Sequence, residues 1–238
     1  MPNSSPSLTP PLEVPFDRFG RQWRDCREAL SAAFEAVGAS GRYVLGREVS
    51  AFEGALARFW GLRHGVGVGS GLDALEIALR ALGCRAGDPV LTTPVSAFAT
   101  TLAILKIGAV PVFAAIGPGG LIDLDDCERI LQERPDIRFF LPVHLYGHSL
   151  DLDRLASLRD RYELLIVEDC AQAIGARWNG RMAGSVGKIA AVSFYPTKNL
   201  GAMGDGGAIL TDESALANLA SQHRDYGRTA THNHARIG

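Results

Sequence analysis

The sequence predicts an α/β fold, a mostly parallel mixed sheet covered by helices on both faces. Three observations carry this. Short apolar segments alternate with helical periodicities from residue 65 onward. Several of those segments, Leu164–Glu168 above all, are apolar without polar alternation, as strands buried on both faces are. Residues able to do chemistry recur at or just beyond the segment ends, where open α/β sheets collect their ligands.

The elements follow in order. Trp23, Cys26, Leu30, Ala33, Phe34 and Val37 recur at three- and four-residue steps, which predicts a helix over 21–37, ended by Gly38 and Gly41. Val49, Phe52, Leu56 and Phe59 place a second helix over 48–60. A small-residue strand spans 65–69, and a third helix runs from Asp73 to Leu82, closed by Gly83. Strands are then expected at 89–92, 110–113, 139–144, 164–168, 189–195 and 207–210. Helices are expected at 98–106, 125–133, 152–161 and 214–224. Residues 1–13, rich in serine and proline, read as a flexible lead, and 14–238 as one domain.

Composition narrows the function. With 47% hydrophobic and 21% charged residues the chain is ordinary for a globular protein. A net charge of −2 offers no electrostatic case for nucleic acid or an anionic membrane. No apolar run reaches the roughly 18 residues of a membrane-spanning helix, and the N-terminus lacks the basic and apolar regions of a signal peptide. The four cysteines, Cys26, Cys84, Cys127 and Cys170, form no C-x-x-C pair, which suits reduced thiols in the cytoplasm.

The most informative residue is Lys198, in Ser193-Phe-Tyr-Pro-Thr-Lys-Asn-Leu-Gly201, followed at once by Gly204-Asp-Gly-Gly207. Glycines on both sides let backbone approach a flat ring closely. A Schiff base needs the neutral amine, so such a lysine needs desolvation or nearby positive charge. Asp169 ends the apolar segment 164–168. A carboxylate buried there is costly unless a cation pairs with it, and a protonated pyridine nitrogen is such a cation. Asp169 also fits a cap of the following helix. Gln172 offers an amide to a phenolic oxygen, or is a surface side chain. Gly69-Ser-Gly-Leu-Asp-Ala-Leu75 leads from a strand into a helix whose free N–H groups attract phosphate, and the Ser193 hydroxyl can join them. The run Gly65-x-Gly-x-Gly-x-Gly71 is a poor dinucleotide fingerprint, because its spacing is imperfect and no acid follows about 20 residues on. Phe98 is either a stacking aromatic or a core residue. His144 and His148 stand four apart, but the strand before them and Gly147 between them argue against a zinc pair, and no metal is expected. His223, His232 and His234 sit in a polar tail without ligand spacing.

Together these stretches resemble a known family. Arg42-Tyr-Val-Leu-Gly-Arg-Glu-Val49, Val66-Gly-Val-Gly-Ser-Gly-Leu-Asp-Ala-Leu75, Pro142-Val-His-Leu-Tyr-Gly147, Val167-Glu-Asp-Cys-Ala-Gln-Ala173 and 193–201 are similar to the DegT/DnrJ/StrS aminotransferases of nucleotide-linked keto sugars. The resemblance implies the large domain of a fold-type I enzyme dependent on pyridoxal 5′-phosphate, with Lys198 as the Schiff-base lysine and Asp169 on the ring nitrogen. Gln172 would meet the phenolic oxygen and Phe98 would stack on the ring. Ser193 and the backbone at Gly71 and Leu72 would hold the phosphate. It further implies an amino-acid donor, glutamate or glutamine, and a homodimer when full length. Relatives that act as dehydratases carry histidine where Lys198 stands, which favours amino transfer.

Two residues depart from the pattern. Leu72 stands where the family has threonine, leaving only its amide for phosphate, and Ala97 also replaces a common threonine. The family continues beyond a stretch like 234–238 into a smaller C-terminal domain, so the chain is expected to be truncated. Two rival readings follow. One is another fold-type I reaction, such as a lyase or dehydratase. The other is an impaired fragment serving as a binding or regulatory partner.

Overall fold

The computed structural model describes residues 14, 15, 17–230, 233–235 and 238. The expected flexible lead, 1–13, lies outside the described residues. The chain divides into two compact units, 1–46 and 47–238.

The first unit is built on helix α1, Phe19–Ser40. It runs through Gly38 and stops only at Gly41, whose left-handed φ of 66° returns its N–H to the Gly38 carbonyl. No α1 residue is buried; Phe34 is 80% exposed, so the apolar periodicity is real but uncovered.

The second unit opens with α2 (Arg47–Trp60), β1 (His64–Val68) and α3 (Gly71–Ala81). It continues through β2 (Pro89–Thr92), α4 (Phe98–Lys106), β3 (Val110–Phe113), α5 (Leu124–Glu133) and β4 (Phe139–Leu141). Next come α6 (Leu152–Arg161), β5 (Leu165–Asp169), β6 (Arg177–Trp178), β7 (Arg181–Met182) and β8 (Ile189–Ser193). It closes with β9 (Gly207–Thr211), α7 (Ser214–Arg224), β10 (Arg228–Ala230) and β11 (Asn233–His234).

Seven strands form one sheet in the order β1-β9-β8-β5-β4-β2-β3. β9 pairs antiparallel with both β8 and β1, and the remaining pairs are parallel. The sheet is therefore parallel apart from β9, and six carboxyl ends open on one side.

Strand residues feed two faces alternately, as their period of two requires. Val90, Leu141, Val167, Ala191 and Ile209 pack with α3 and α4 residues such as Leu75, Leu79 and Ile104. Their neighbours Leu91, Phe140 and Ile166 pack on Leu152, Leu155 and Leu158 of α6. On the same side Ala190, Val192 and Leu210 meet Leu56 and Trp60 of α2.

The structure differs from expectation in a few places. The strand expected over 139–144 ends at Leu141, because Pro142 has no N–H for the ladder. Contact resumes one step later, where the His144 amide donates to the Asp169 carbonyl at 2.9 Å. His223 belongs to α7 rather than to a polar tail, and His232 lies outside the described residues. The β6–β7 hairpin was not expected, although Asn179-Gly180 is a strong turn signal; both residues are left-handed, at φ 47° and 82°.

Candidate active site

Each chemistry-bearing residue singled out above sits where a parallel strand ends. Gly71 follows β1, Phe98 follows β2, His144 follows β4, Asp169 is the last residue of β5 and Lys198 follows β8.

Three segments come together at the start of α3. Ser70 caps α3, its Oγ accepting the Asp73 amide at 3.0 Å and its carbonyl accepting the Ala74 amide. The Gly71 and Leu72 amides then have no partner among the described residues, as the first turn of a helix dictates. Gly71 lies so close to Ser193 that a Cβ on it would stand 2.6 Å from the serine Cβ. Gly207 is tighter still, for a Cβ there would come 2.2 Å from the Ser70 carbonyl oxygen. Backbone amides and the Ser193 hydroxyl thus converge where no side chain fits. Leu72 turns its side chain into the core beside Leu75, so it offers the site only its amide.

Asp169 is buried, 3% exposed. Its Oδ1 accepts the Ala171 amide at 3.0 Å and its Oδ2 accepts the Thr100 hydroxyl at 2.9 Å. The Ala171 bond is a local turn; no helix follows, so capping a helix is not its role. Burial pushes the Asp169 carboxyl above the ordinary range, against the pull of Ala171, Thr100 and the charge of Lys198.

Lys198 sits in a turn closed by its own amide, which donates to the Tyr195 carbonyl at 2.8 Å. The loop is pinned at its base, where Phe194 bonds to Gly206 and Ala202, and its ring meets Phe52 edge-on at 5.1 Å. Gly201 is required, since a Cβ there would stand 2.4 Å from the Pro196 carbonyl oxygen. The lysine side chain is half-buried, with no ion pair within 4 Å among the described residues.

Gln172 ties down the loop after β4. Its carbonyl accepts the Gly147 amide at 2.9 Å, and its Oε1 faces the amide of Tyr146, which is left-handed at φ 55°. Phe98 is not a core residue, being 68% exposed, and it makes no ring contact among the described residues. It stands two positions before Thr100, a spacing that puts helical side chains on different sides.

His144 is fully buried, and both of its ring nitrogens are engaged. Nδ1 accepts the Leu150 amide at 3.0 Å, so the proton sits on Nε2, 2.8 Å from Glu168 Oε2. Glu168 also accepts the amides of Gly184, Val186 and Gly187. Burial raises its pKa, but the His144 bond and these amides outweigh that and hold it below the ordinary range. Sequence reasoning missed Thr100 and Glu168. The one signal for Thr100 was a pair of threonines in an otherwise apolar helix.

A cleft of about 640 Å³ lies at the opposite end of the sheet, among Arg159, Lys188, Thr211 and Glu213. Its cations are already paired, Lys188 with Glu213 and Arg159 with Asp160, and it is remote from Asp169 and Lys198.

Fold and site define an α/β protein in which a buried acid, a lysine and a closely packed glycine-led helix start lie at the carboxyl ends of parallel strands. The chain belongs to the DegT/DnrJ/EryC1/StrS aminotransferase family, whose model matches residues 24–238. It is 43% identical over 238 residues to a dTDP-3-amino-3,4,6-trideoxy-alpha-D-glucose transaminase of Streptomyces venezuelae, covering 99% of this chain and 61% of the relative. It is 39% identical to a UDP-N-acetyl-3-dehydro-alpha-D-glucosamine 3-aminotransferase of Acidithiobacillus ferrooxidans, over 82% of this chain and 53% of the relative. Among solved structures, S. venezuelae DesV superposes with a TM-score of 0.90 at 43% identity, covering 94% of this chain and 60% of that one. Bacillus subtilis NtdA, solved with bound cofactor PMP, gives a TM-score of 0.88 at 33% identity, covering 95% and 52%. The chain thus spans little more than half the length of these relatives.

Proposed function

We propose that this chain is the cofactor-binding portion of a pyridoxal phosphate-dependent aminotransferase that moves an amino group from glutamate or glutamine to a nucleotide-linked keto sugar. One observation carries the reading: a buried carboxylate, Asp169, ends β5 beside β8, the strand that leads to Lys198, and the start of α3 packs so closely on Ser193 that no side chain fits at Gly71.

The residues present suit such a group. The Gly71 and Leu72 amides and the Ser193 hydroxyl would hold its phosphate. Asp169 would pair with its ring nitrogen, and the half-buried Gln172 would turn its amide to the phenolic oxygen. Phe98 is the aromatic assigned to the ring face, which its exposed position at the start of α4 leaves free to move. When bound, pyridoxal phosphate supplies an electron sink for charge developing at the donor's alpha carbon. Lys198 Nζ would take the proton from that carbon and return it on the cofactor side, as general base and then acid. Asp169, by remaining anionic, would keep the ring nitrogen protonated throughout.

Relatives named for dTDP- and UDP-linked amino sugars support the substrate class. A homodimer working in the cytoplasm, with 14–238 as the large domain, completes the proposal.

The test is to add pyridoxal phosphate to the purified chain and look for a protein-bound visible absorbance. That absorbance should vanish in Lys198→Ala, and the protein should transfer nitrogen from glutamate to a dTDP- or UDP-linked keto sugar. Failure of the chain to bind the cofactor at all would overturn the reading.

A further inference from the structure

Asp169 spends one of its two oxygens on a side chain outside the cofactor residues assigned above. Thr100 Oγ1 lies 2.9 Å from Asp169 Oδ2 and 2.7 Å from Ser96 Oγ. Thr100 is completely buried, in the first turn of α4, and Ser96 stands four residues earlier, just before the helix.

A hydroxyl has one proton to give. When Thr100 gives its proton to Asp169, its own oxygen is left to accept from Ser96, so the chain runs Ser96 to Thr100 to Asp169. Hydrogen bonds aligned this way reinforce one another and favour the charged form of the last acceptor. The Ala171 amide serves the other oxygen, so the carboxylate is gripped from both sides.

We propose that Thr100, oriented by Ser96, is a positioning residue that holds Asp169 as an aimed carboxylate for the cationic ring of the cofactor. This rests on the assignment of Asp169 made above. Thr100 itself touches neither cofactor nor substrate. Burial opposes the carboxylate at this site, and the charge of Lys198, from the β8–β9 loop, acts in the same direction as Thr100, while His144, which follows β4, is neutral with its Nε2 proton toward Glu168.

Two readouts test this on Thr100→Val, which deletes the hydroxyl, and Thr100→Ser, which keeps it. The first needs no cofactor: the Asp169 carboxyl is titrated by ¹³C NMR in aspartate-labelled protein. Thr100→Val should raise its pKa, and Thr100→Ser should return it to the parent value. The second is affinity for pyridoxal phosphate, which Thr100→Val should weaken about tenfold, since a hydrogen bond to a charged group is lost, and Thr100→Ser should restore. An unchanged Asp169 titration in Thr100→Val would overturn the inference, as would a serine variant that behaves like valine. Should Thr100→Val not fold, Ser96→Ala should shift the titration in the same direction by less, and no shift there would equally overturn it. A parent protein that binds no cofactor would sink the functional reading, whereas the titration would still decide whether Thr100 governs Asp169.

Discussion

At the scale of single residues, the site is organised around a carboxylate that the fold makes costly. Asp169 has its pKa raised by burial above that of an unfolded aspartate, about 3.9. The folded state therefore binds more protons between the two values, and stability falls as pH rises from about 4 through the folded pKa. An asparagine keeps an acceptor for the Ala171 amide and a donor for Thr100 without the charge. Asp169→Asn should therefore raise the melting temperature of cofactor-free protein near neutral pH, and the gain should disappear below about pH 4. Cofactor affinity should fall in the same variant. Thermal melts at the two pH values decide it; a variant less stable than the parent at both would count against the electrostatic account. Residue-scale chemistry was partly legible. Lys198 stands out by its glycine neighbours, and Asp169 by ending an apolar strand. Thr100 did not, because its partner is 69 residues away and a pair of threonines in an apolar helix is a weak local mark.

At the scale of elements, the start of α3, reached from the edge strand β1, packs against Ser193 of β8 and Gly207 of β9. Gly71→Ala would drive a Cβ into Ser193 at 2.6 Å. The expected cost is roughly 1–3 kcal/mol of stability, as for other overpacked contacts, together with weakened binding of pyridoxal phosphate and of inorganic phosphate. Denaturant unfolding and phosphate titration measure both, and a variant equal to the parent in both would show the approach is slack. β1 pairs only with β9, so its other edge needs cover. Gly67 supplies it: its amide donates to Glu53 Oε1 at 2.8 Å, and its carbonyl accepts from Arg224 Nη1 at 2.9 Å, with Arg224 and Glu53 also paired to each other. α2 and α7 thus clamp the strand that leads into the start of α3. Arg224→Ala should cost about 1–3 kcal/mol and increase hydrogen exchange of the β1 amides; exchange unchanged across β1 would refute the clamp. Element boundaries were largely legible, for β2, α4, β3, α6 and α7 fall where the periodicity put them. The β6–β7 hairpin and the shortened β4 were misjudged from signals that were present, Asn179-Gly180 and Pro142.

At the scale of the molecule, Glu168 joins parts of the second unit that are far apart in sequence. It ties β5 to His144 at the end of β4 and to the amides of 184–187 ahead of β8. Its pKa is held below that of an unfolded glutamate, about 4.3. The sign is opposite to that of Asp169: the stabilisation is complete above that value and is lost as pH falls through the folded pKa. Glu168→Gln would set an amide group against three backbone N–H donors, and should cost about 3–5 kcal/mol, the usual penalty for breaking a buried charged network. Urea unfolding at pH 7 and at pH 4 checks this, and the difference between parent and variant should shrink at the lower pH. A difference that did not change with pH would mean Glu168 acts by packing alone.

The amino-acid sequence by itself determined the alternation of elements, the parallel core and the strand-end positions of Gly71, Phe98, His144, Asp169 and Lys198, because periodicity, glycine and proline act over a few residues; the strand expected over 189–195 ends at Ser193. Only the tertiary structure decided which polar groups meet. Thr100 with Asp169, His144 with Glu168, and Glu53 with Arg224 are pairs 69, 24 and 171 residues apart. Such pairs form only once the sheet is assembled, when burial removes water and leaves each polar group dependent on the one partner that packing has brought within reach.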